Sequence, residues 1–139
     1  PRSSQVINAT ELWGAFFDTS YAYRFGPPAH DVTIGRLSDE TGEIAQAFHF
    51  PQGRSAALRD AGLSVELGRD DASWFIDIKA HCFAQSVAIH DPLFMAEDNW
   101  FHLGPHETRR IRLHGDCNDV SRPNGYVSAL KNPKIPYSV

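Results

Sequence analysis

The stretch that most constrains the fold is Asp98-Asn99-Trp100-Phe101-His102-Leu103, followed by Gly104-Pro105-His106-Glu107 and then Thr108-Arg109-Arg110-Ile111-Arg112-Leu113. An aromatic strand runs into a tight turn set by Gly and Pro, and the turn releases a second strand. In that strand Ile111 and Leu113 alternate with Arg110 and Arg112. Side chains alternate between the two faces of a strand, so one face is apolar and the other basic. Strand, tight turn and half-buried strand in succession are the grammar of an antiparallel β-sandwich.

The rest of the second half keeps the same period. Leu63-Ser64-Val65-Glu66-Leu67 alternates cleanly, and Gly68-Arg69-Asp70-Asp71 turns the chain. From Ser73 to Cys82, Trp74, Ile76, Ile78 and Ala80 alternate with Phe75, Asp77, Lys79 and His81. Gln85 to His90 follows, with Val87 and Ile89 in phase, and Asp91-Pro92 ends it; Tyr126 to Leu130 completes a set of six strands. Asn132-Pro133-Lys134-Ile135-Pro136-Tyr137 contains two prolines, which cannot donate to a sheet ladder. It reads as a tail or an extended edge.

The first half is less regular. Trp13 to Phe17 is an apolar run leading to Tyr21, Tyr23 and Phe25, which share a face if extended, before Gly26-Pro27-Pro28 breaks the element. Asp31 to Leu37 and Ile44 to Phe50 read as a hairpin across Asp39-Glu40-Thr41-Gly42-Glu43. Three or four strands with no helix are predicted here. The polar connection over residues 52–62 places a boundary: residues 1–60 form a partial β-domain, and residues 61–139 an immunoglobulin-like β-sandwich. Three or four strands bury little surface. The first part therefore reads as half of a sandwich, whose open strand edges and apolar face would seat against the second domain or another copy.

Composition narrows the function classes. The 139 residues are 42% apolar and carry a formal charge of −4, with basic residues scattered apart from Arg109, Arg110 and Arg112. That balance gives no reason to expect nucleic acid as a partner. No apolar run approaches the length of a membrane span, so no membrane partner is expected. The chain opens Pro1-Arg2-Ser3-Ser4 without a signal-peptide pattern and reads as a processed chain or an excised fragment. Cys82 and Cys117 either bridge the two sheets or are unrelated thiols. No Cys-x-x-Cys is present to support redox or zinc chemistry.

Residue types with chemical potential resolve mostly to structural roles. Glycoside hydrolysis needs two facing carboxylates roughly 5 to 9 Å apart. Asp91, Glu97 and Asp98 bracket a turn and are candidates, but acidic residues in sheet turns usually bind local backbone. His81, His90, His102, His106 and His114 raise the question of a metal, with His81 beside His90 and His102 beside His114 as candidate pairs. No His-Glu-x-x-His spacing accompanies them, and surface strand histidines account for the pattern. No nucleophile elbow and no glycine-rich phosphate loop occurs. No cofactor is expected. Exposed aromatic rings are the remaining resource, since sugars stack on rings while polar groups bind hydroxyls. Trp13, Tyr23, Phe75 and Trp100 are the candidates for carbohydrate or interdomain contact, with Tyr21 and Trp74 behind them. Arg110 and Arg112 are candidates for an ion-paired contact with an acidic neighbour, or else form a solvated outer face.

The order of these segments resembles the C-terminal domains of β-mannosidase-like proteins of glycoside hydrolase family 2. Trp13 to Pro28 and Ala45-Gln46-Ala47-Phe48-His49-Phe50-Pro51 look like late strands of a penultimate sandwich domain. Leu63 to Leu67, Asp98 to Glu107 and Val127-Ser128-Ala129-Leu130-Lys131 look like the terminal immunoglobulin-like domain. The usual Pro-Gly-Glu turn of such domains is replaced here by Gly104-Pro105-His106-Glu107, which implies a different turn type. The resemblance implies a parent that hydrolyses a terminal β-linked sugar, without a cofactor, using two carboxylates on an upstream (β/α)8 barrel. No residue of this chain matches those carboxylates. The implied role is a non-catalytic accessory region that braces an upstream catalytic barrel of the same polypeptide; the alternative is a free-standing carbohydrate-binding or protein-interaction module.

Overall fold

A computed structural model describes residues 3–71, 73–115 and 122–138. Among these the chain is nearly all β, and it divides into two compact units, Pro1–Ala57 and Leu58–Val139.

The first unit holds one short helix, α1 (Ala9–Trp13), and one hairpin, β1 (Thr33–Asp39) with β2 (Gly42–His49). The Asn8 side chain caps α1 by accepting from the Thr10 N–H, and Gly14 closes it in the left-handed region at φ 65°. The hairpin matches the expected pair of strands. Its turn is held by Asp39, whose carboxylate accepts from the Thr41 N–H at 2.7 Å and the Thr41 hydroxyl at 2.6 Å. A register shift between Leu37 and Ser38 marks a bulge.

Two expectations for this unit fail. A helix is present, and Tyr21 to Phe25 is not a strand. The Asp18 carboxylate accepts from the N–H groups of Ser20, Tyr21 and Tyr23 at 3.1, 3.1 and 3.2 Å. Those donors are thereby withdrawn from any sheet ladder, and the segment turns instead. Only two strands remain of the three or four predicted, among the described residues.

The second unit is a two-layer sandwich. Its strands are β3 (Leu63–Arg69), β4 (Trp74–Ala80), β5 (Ala84–His90), β6 (Met95–Ala96), β7 (Phe101–Leu103), β8 (Thr108–His114), β9 (Asn124–Ser128) and β10 (Ile135–Ser138). One sheet runs β3-β4-β8-β6 and the other β10-β9-β5-β7, with every pairing antiparallel. Numbered along the chain, these are A-B-E-D facing G-F-C, with β7 added beside C, the arrangement of immunoglobulin-like sandwiches.

Period-two burial generates the core. Ile76, Ile78 and Ala80 of β4, Ile111 and Leu113 of β8, Val87 and Ile89 of β5, Leu103, Val127 and Tyr137 form one buried cluster. Trp74, Val65 and Leu67 pack against it. The C-terminal segment is an edge strand, with Pro136 in β10 on the outer rim of its sheet, where a residue without an N–H is tolerated. The two-residue β6 was not anticipated: it pairs only Met95 with His114 and Ala96 with Leu113, too short a run to show alternation. Cys82 has no disulfide partner among the described residues, and Cys117 lies outside them.

Candidate functional site

The outer face of β3-β4-β8 gathers three of the residues singled out from sequence. Phe75 lies opposite Gly68 on one side and Arg112 on the other. Its ring covers Gly68 so closely that a Cβ there would fall 2.3 Å from the ring. The Arg110 guanidinium sits 3.7 Å from the Phe75 ring centroid. The same guanidinium makes a two-pronged pair with Asp77, at 2.8 and 2.6 Å. That hydrogen bonding holds the Asp77 carboxyl below the usual carboxylate range, against a smaller opposing effect of burial. Arg112 reaches Asp70 at 3.0 Å and the Ser73 hydroxyl at 2.7 Å. Phe75, Arg110 and Arg112 thus form a surface bound to itself, a solvated outer face with its charges paired within the sheet. Arg109 points the other way, stacking 4.4 Å from the Phe101 ring centroid and pairing with Asp98 at 2.6 Å.

The turn at Gly104 to Glu107 is tied from both directions. The Glu107 N–H donates to the Gly104 carbonyl at 3.2 Å, and the Gly104 N–H donates to the Glu107 carboxylate. His106 takes the position after Pro105 at φ 62°, the left-handed place a glycine normally fills. Its ring meets His81 edge to face at 5.0 Å. Neither expected histidine pair forms: His81 meets His106, His102 contacts Phe83, and His90 stacks on Tyr126. Period-two alternation says which face a residue occupies but not which strand lies beside it. Among the described residues no three His, Cys, Asp or Glu side chains converge as a metal-holding group.

The opposite sheet carries a row of rings. His90 on β5 and Tyr126 on β9 are register partners, and their rings stack at 4.6 Å and 21°. Lys134 places its ammonium 4.4 Å from the Tyr126 centroid. The His90 Nε2 and the Ser128 hydroxyl lie 3.2 Å apart. Trp100 meets His90 edge to face at 6.0 Å and is 63% exposed. Its backbone is left-handed, at φ 65°. The preceding residue explains how: the Asn99 carboxamide accepts from the Ile89 N–H at 2.8 Å and from the Trp100 N–H at 3.2 Å, and donates to the Ile89 carbonyl at 3.0 Å. Asn99 pairs with β5 through its side chain in place of its backbone.

Beside this row opens a cleft of about 950 Å³, lined by His90, Leu93, Met95, Asn99, Asn124 and Tyr126 among others. Its one carboxylate among the described residues is occupied. Asp91 accepts from the N–H groups of Leu93, Phe94 and Asn124 at 2.9, 3.0 and 2.9 Å, and from the Tyr137 hydroxyl at 3.2 Å. Burial, with the Asp91 charge beside it, pushes the Tyr137 phenol well above the ordinary tyrosine value. The other two acidic candidates are engaged as well: Asp98 with Arg109, and Glu97 with the Arg112 N–H at 3.4 Å.

The residues named from sequence therefore fall in separate places. Phe75, Arg110 and Arg112 share one sheet face, and Trp100 stands beside the other sheet. Trp13 and Tyr23 are exposed in the first unit, where Trp13 packs edge to face on Phe17 at 5.1 Å. Tyr126 and Lys134 were missed as site residues. Alternation with Val127 puts Tyr126 outward, but only the strand order puts it against His90. No family model matches the chain, and no curated protein or solved structure matches it either.

Proposed function

We propose that this chain is a non-catalytic accessory region of a β-mannosidase-like glycoside hydrolase, bracing the catalytic barrel of the same polypeptide. The observation that carries the reading is the contrast between the two units. The second unit closes its own core, and Asp70, Asp77, Asp91, Asp98, Arg109, Arg110 and Arg112 are committed to turns and sheet pairs. The first unit has one two-stranded sheet, while Leu12, Phe16, Tyr21, Phe25, Leu37 and Ile44 remain largely exposed. A lone hairpin with that much apolar surface calls for a neighbouring layer. Further support comes from the Asp98 to Glu107 stretch that carries the resemblance: its residues hold the fold, Asn99 as a clamp, Leu103 in the core and Glu107 across its turn.

Two measurements test the reading. The chain alone, incubated with 4-nitrophenyl β-mannopyranoside, should release nitrophenol at the buffer rate. The coding sequence that carries it should also contain a barrel with paired acidic residues ahead of it. Enzymatic turnover by the chain alone, abolished by replacing one carboxylate, would overturn the proposal, as would a coding sequence without a barrel. The free-standing module reading draws on the Trp100 row and predicts the second of those outcomes.

A further inference from the structure

We infer that Trp100, with the His90–Tyr126 stack and the cleft beside it, forms a binding site for a neutral oligosaccharide of hexopyranose units.

The first argument is how Trp100 is held. A bulky aromatic residue rarely occupies the left-handed region, and such conformations persist only where surrounding contacts impose them. Here Asn99 imposes it, through two hydrogen bonds to Ile89 and one to Trp100 itself. The result is an indole 63% exposed to solvent. Burial alone favours the reverse outcome for the largest apolar side chain.

The second argument is the chemistry next to it. A pyranose presents a C–H face that stacks on aromatic rings and a rim of hydroxyls that both donate and accept. Trp100 supplies an open ring surface at the end of a braced row, His90 on Tyr126 on Lys134. Tyr126 and Asn124 line the cleft, and the Tyr126 hydroxyl and the Asn124 carboxamide make no hydrogen bond with the described residues, whereas the Asn99 amide is consumed. A phenol and a carboxamide offer donors and acceptors without charge.

The third argument selects against other occupants. Asp91, the one carboxylate of the lining among the described residues, accepts four hydrogen bonds from the protein, so these residues offer no free anion to a cationic ligand. β5 is paired with β9 on one side and with β7 on the other. Its ladder is closed to an added peptide strand, and recognition must run through side chains. A neutral, ring-and-hydroxyl ligand fits both facts. This inference stands apart from the accessory-region reading, since a site on this face is independent of any barrel.

Affinity electrophoresis of the chain through gels containing soluble galactomannan, glucomannan or hydroxyethylcellulose tests it. Retardation by at least one of the three is expected, and Trp100→Ala should raise the apparent Kd by about tenfold or more, the scale of one lost ring contact. Tyr126→Phe keeps the stack and removes only the hydroxyl; it should weaken binding by a smaller factor without loss of fold. Arg112→Ala, on the far sheet, should show the parent's retardation once each is compared with its own mobility in a gel without polysaccharide. No retardation by any of the three polysaccharides overturns the site, as does Trp100→Ala binding that equals the parent's. Equal weakening by Arg112→Ala would also overturn it, because the attraction would then be unspecific.

Discussion

The carboxylate of Asp91 accepts the hydroxyl of Tyr137 at 3.2 Å, across forty-six residues of chain. One acidic residue at the end of β5 thereby secures three elements at once. It caps the turn toward β6, anchors the start of β9 through the Asn124 N–H, and holds the edge strand β10 through Tyr137. Removing the hydroxyl alone, by Tyr137→Phe, should cost about 1 kcal/mol, whereas Asp91→Ala strands several backbone donors and should cost about 3 kcal/mol. Urea unfolding of the two variants reads the difference. The phenol's raised value also sets a sign: the folded state keeps its proton at a pH where the unfolded state releases it. Stability should be fully present below about pH 10 and fall as pH rises beyond it. Tyr137→Phe should flatten that decline; an unchanged alkaline limb would refute the assignment.

Two glycines with crowded Cβ positions should respond unequally. At Gly125 a Cβ would fall 2.0 Å from the His90 carbonyl oxygen, which is backbone in the central β5–β9 pairing. At Gly68 the obstruction is the tip of the Phe75 ring, which can swing away. Gly125→Ala should lose about 3 kcal/mol or more, and Gly68→Ala less than about 1 kcal/mol. Thermal unfolding ranks them, and equal losses would contradict the packing described.

Asn99→Ala should destabilise the second unit by about 2 to 3 kcal/mol, because it leaves the Ile89 N–H and C=O unpaired. Asn99→Asp keeps the acceptor for the Ile89 N–H but loses the donor to its carbonyl, so it should lie between alanine and the parent. Near-ultraviolet circular dichroism should also change in both, as Trp100 escapes its left-handed backbone.

His106 occupies a left-handed position with a full side chain. His106→Gly should therefore gain about 1 kcal/mol, the relief of that conformation less the lost contact with His81. A loss of stability in chemical unfolding would show that the His81 contact outweighs the backbone.

The Asp77 carboxyl is held low by Arg110, so its contribution is present above the ordinary carboxylate range and fades as pH falls through its lowered folded value. Arg110→Met should lower stability at pH 7 modestly and shrink the acid limb of the stability curve by the same amount, the effect being small because the Arg110 end of the pair is 54% exposed. A pH series of unfolding midpoints, parent against variant, would show it; superimposable acid limbs would count against the pair.

Local periodicity carried a good part of this molecule. The alternation of Trp74, Ile76, Ile78 and Ala80, or of Ile111 and Leu113 against Arg110 and Arg112, depends only on the two-residue repeat of an extended chain. It identified the strands, the core face and the outward arginines. The same rule misread Tyr21 to Phe25, because Asp18 offers those N–H groups a nearer acceptor than any neighbouring strand. It could not see β6, whose two residues are too few to alternate.

What only the tertiary structure decided is non-local pairing. That His90 stacks on Tyr126, that Asn99 grips Ile89, and that Asp91 meets Tyr137 follow from strand order and register, not from spacing along the chain. The sequence by itself determined that residues 98–113 enter and leave a sandwich through a tight turn. The fold decided that Asn99 in that stretch clamps β5 and that Trp100 stands in solvent. A side chain's face is a property of its own strand, whereas its neighbours belong to strands tens of residues away, brought together only when the two sheets close over one core.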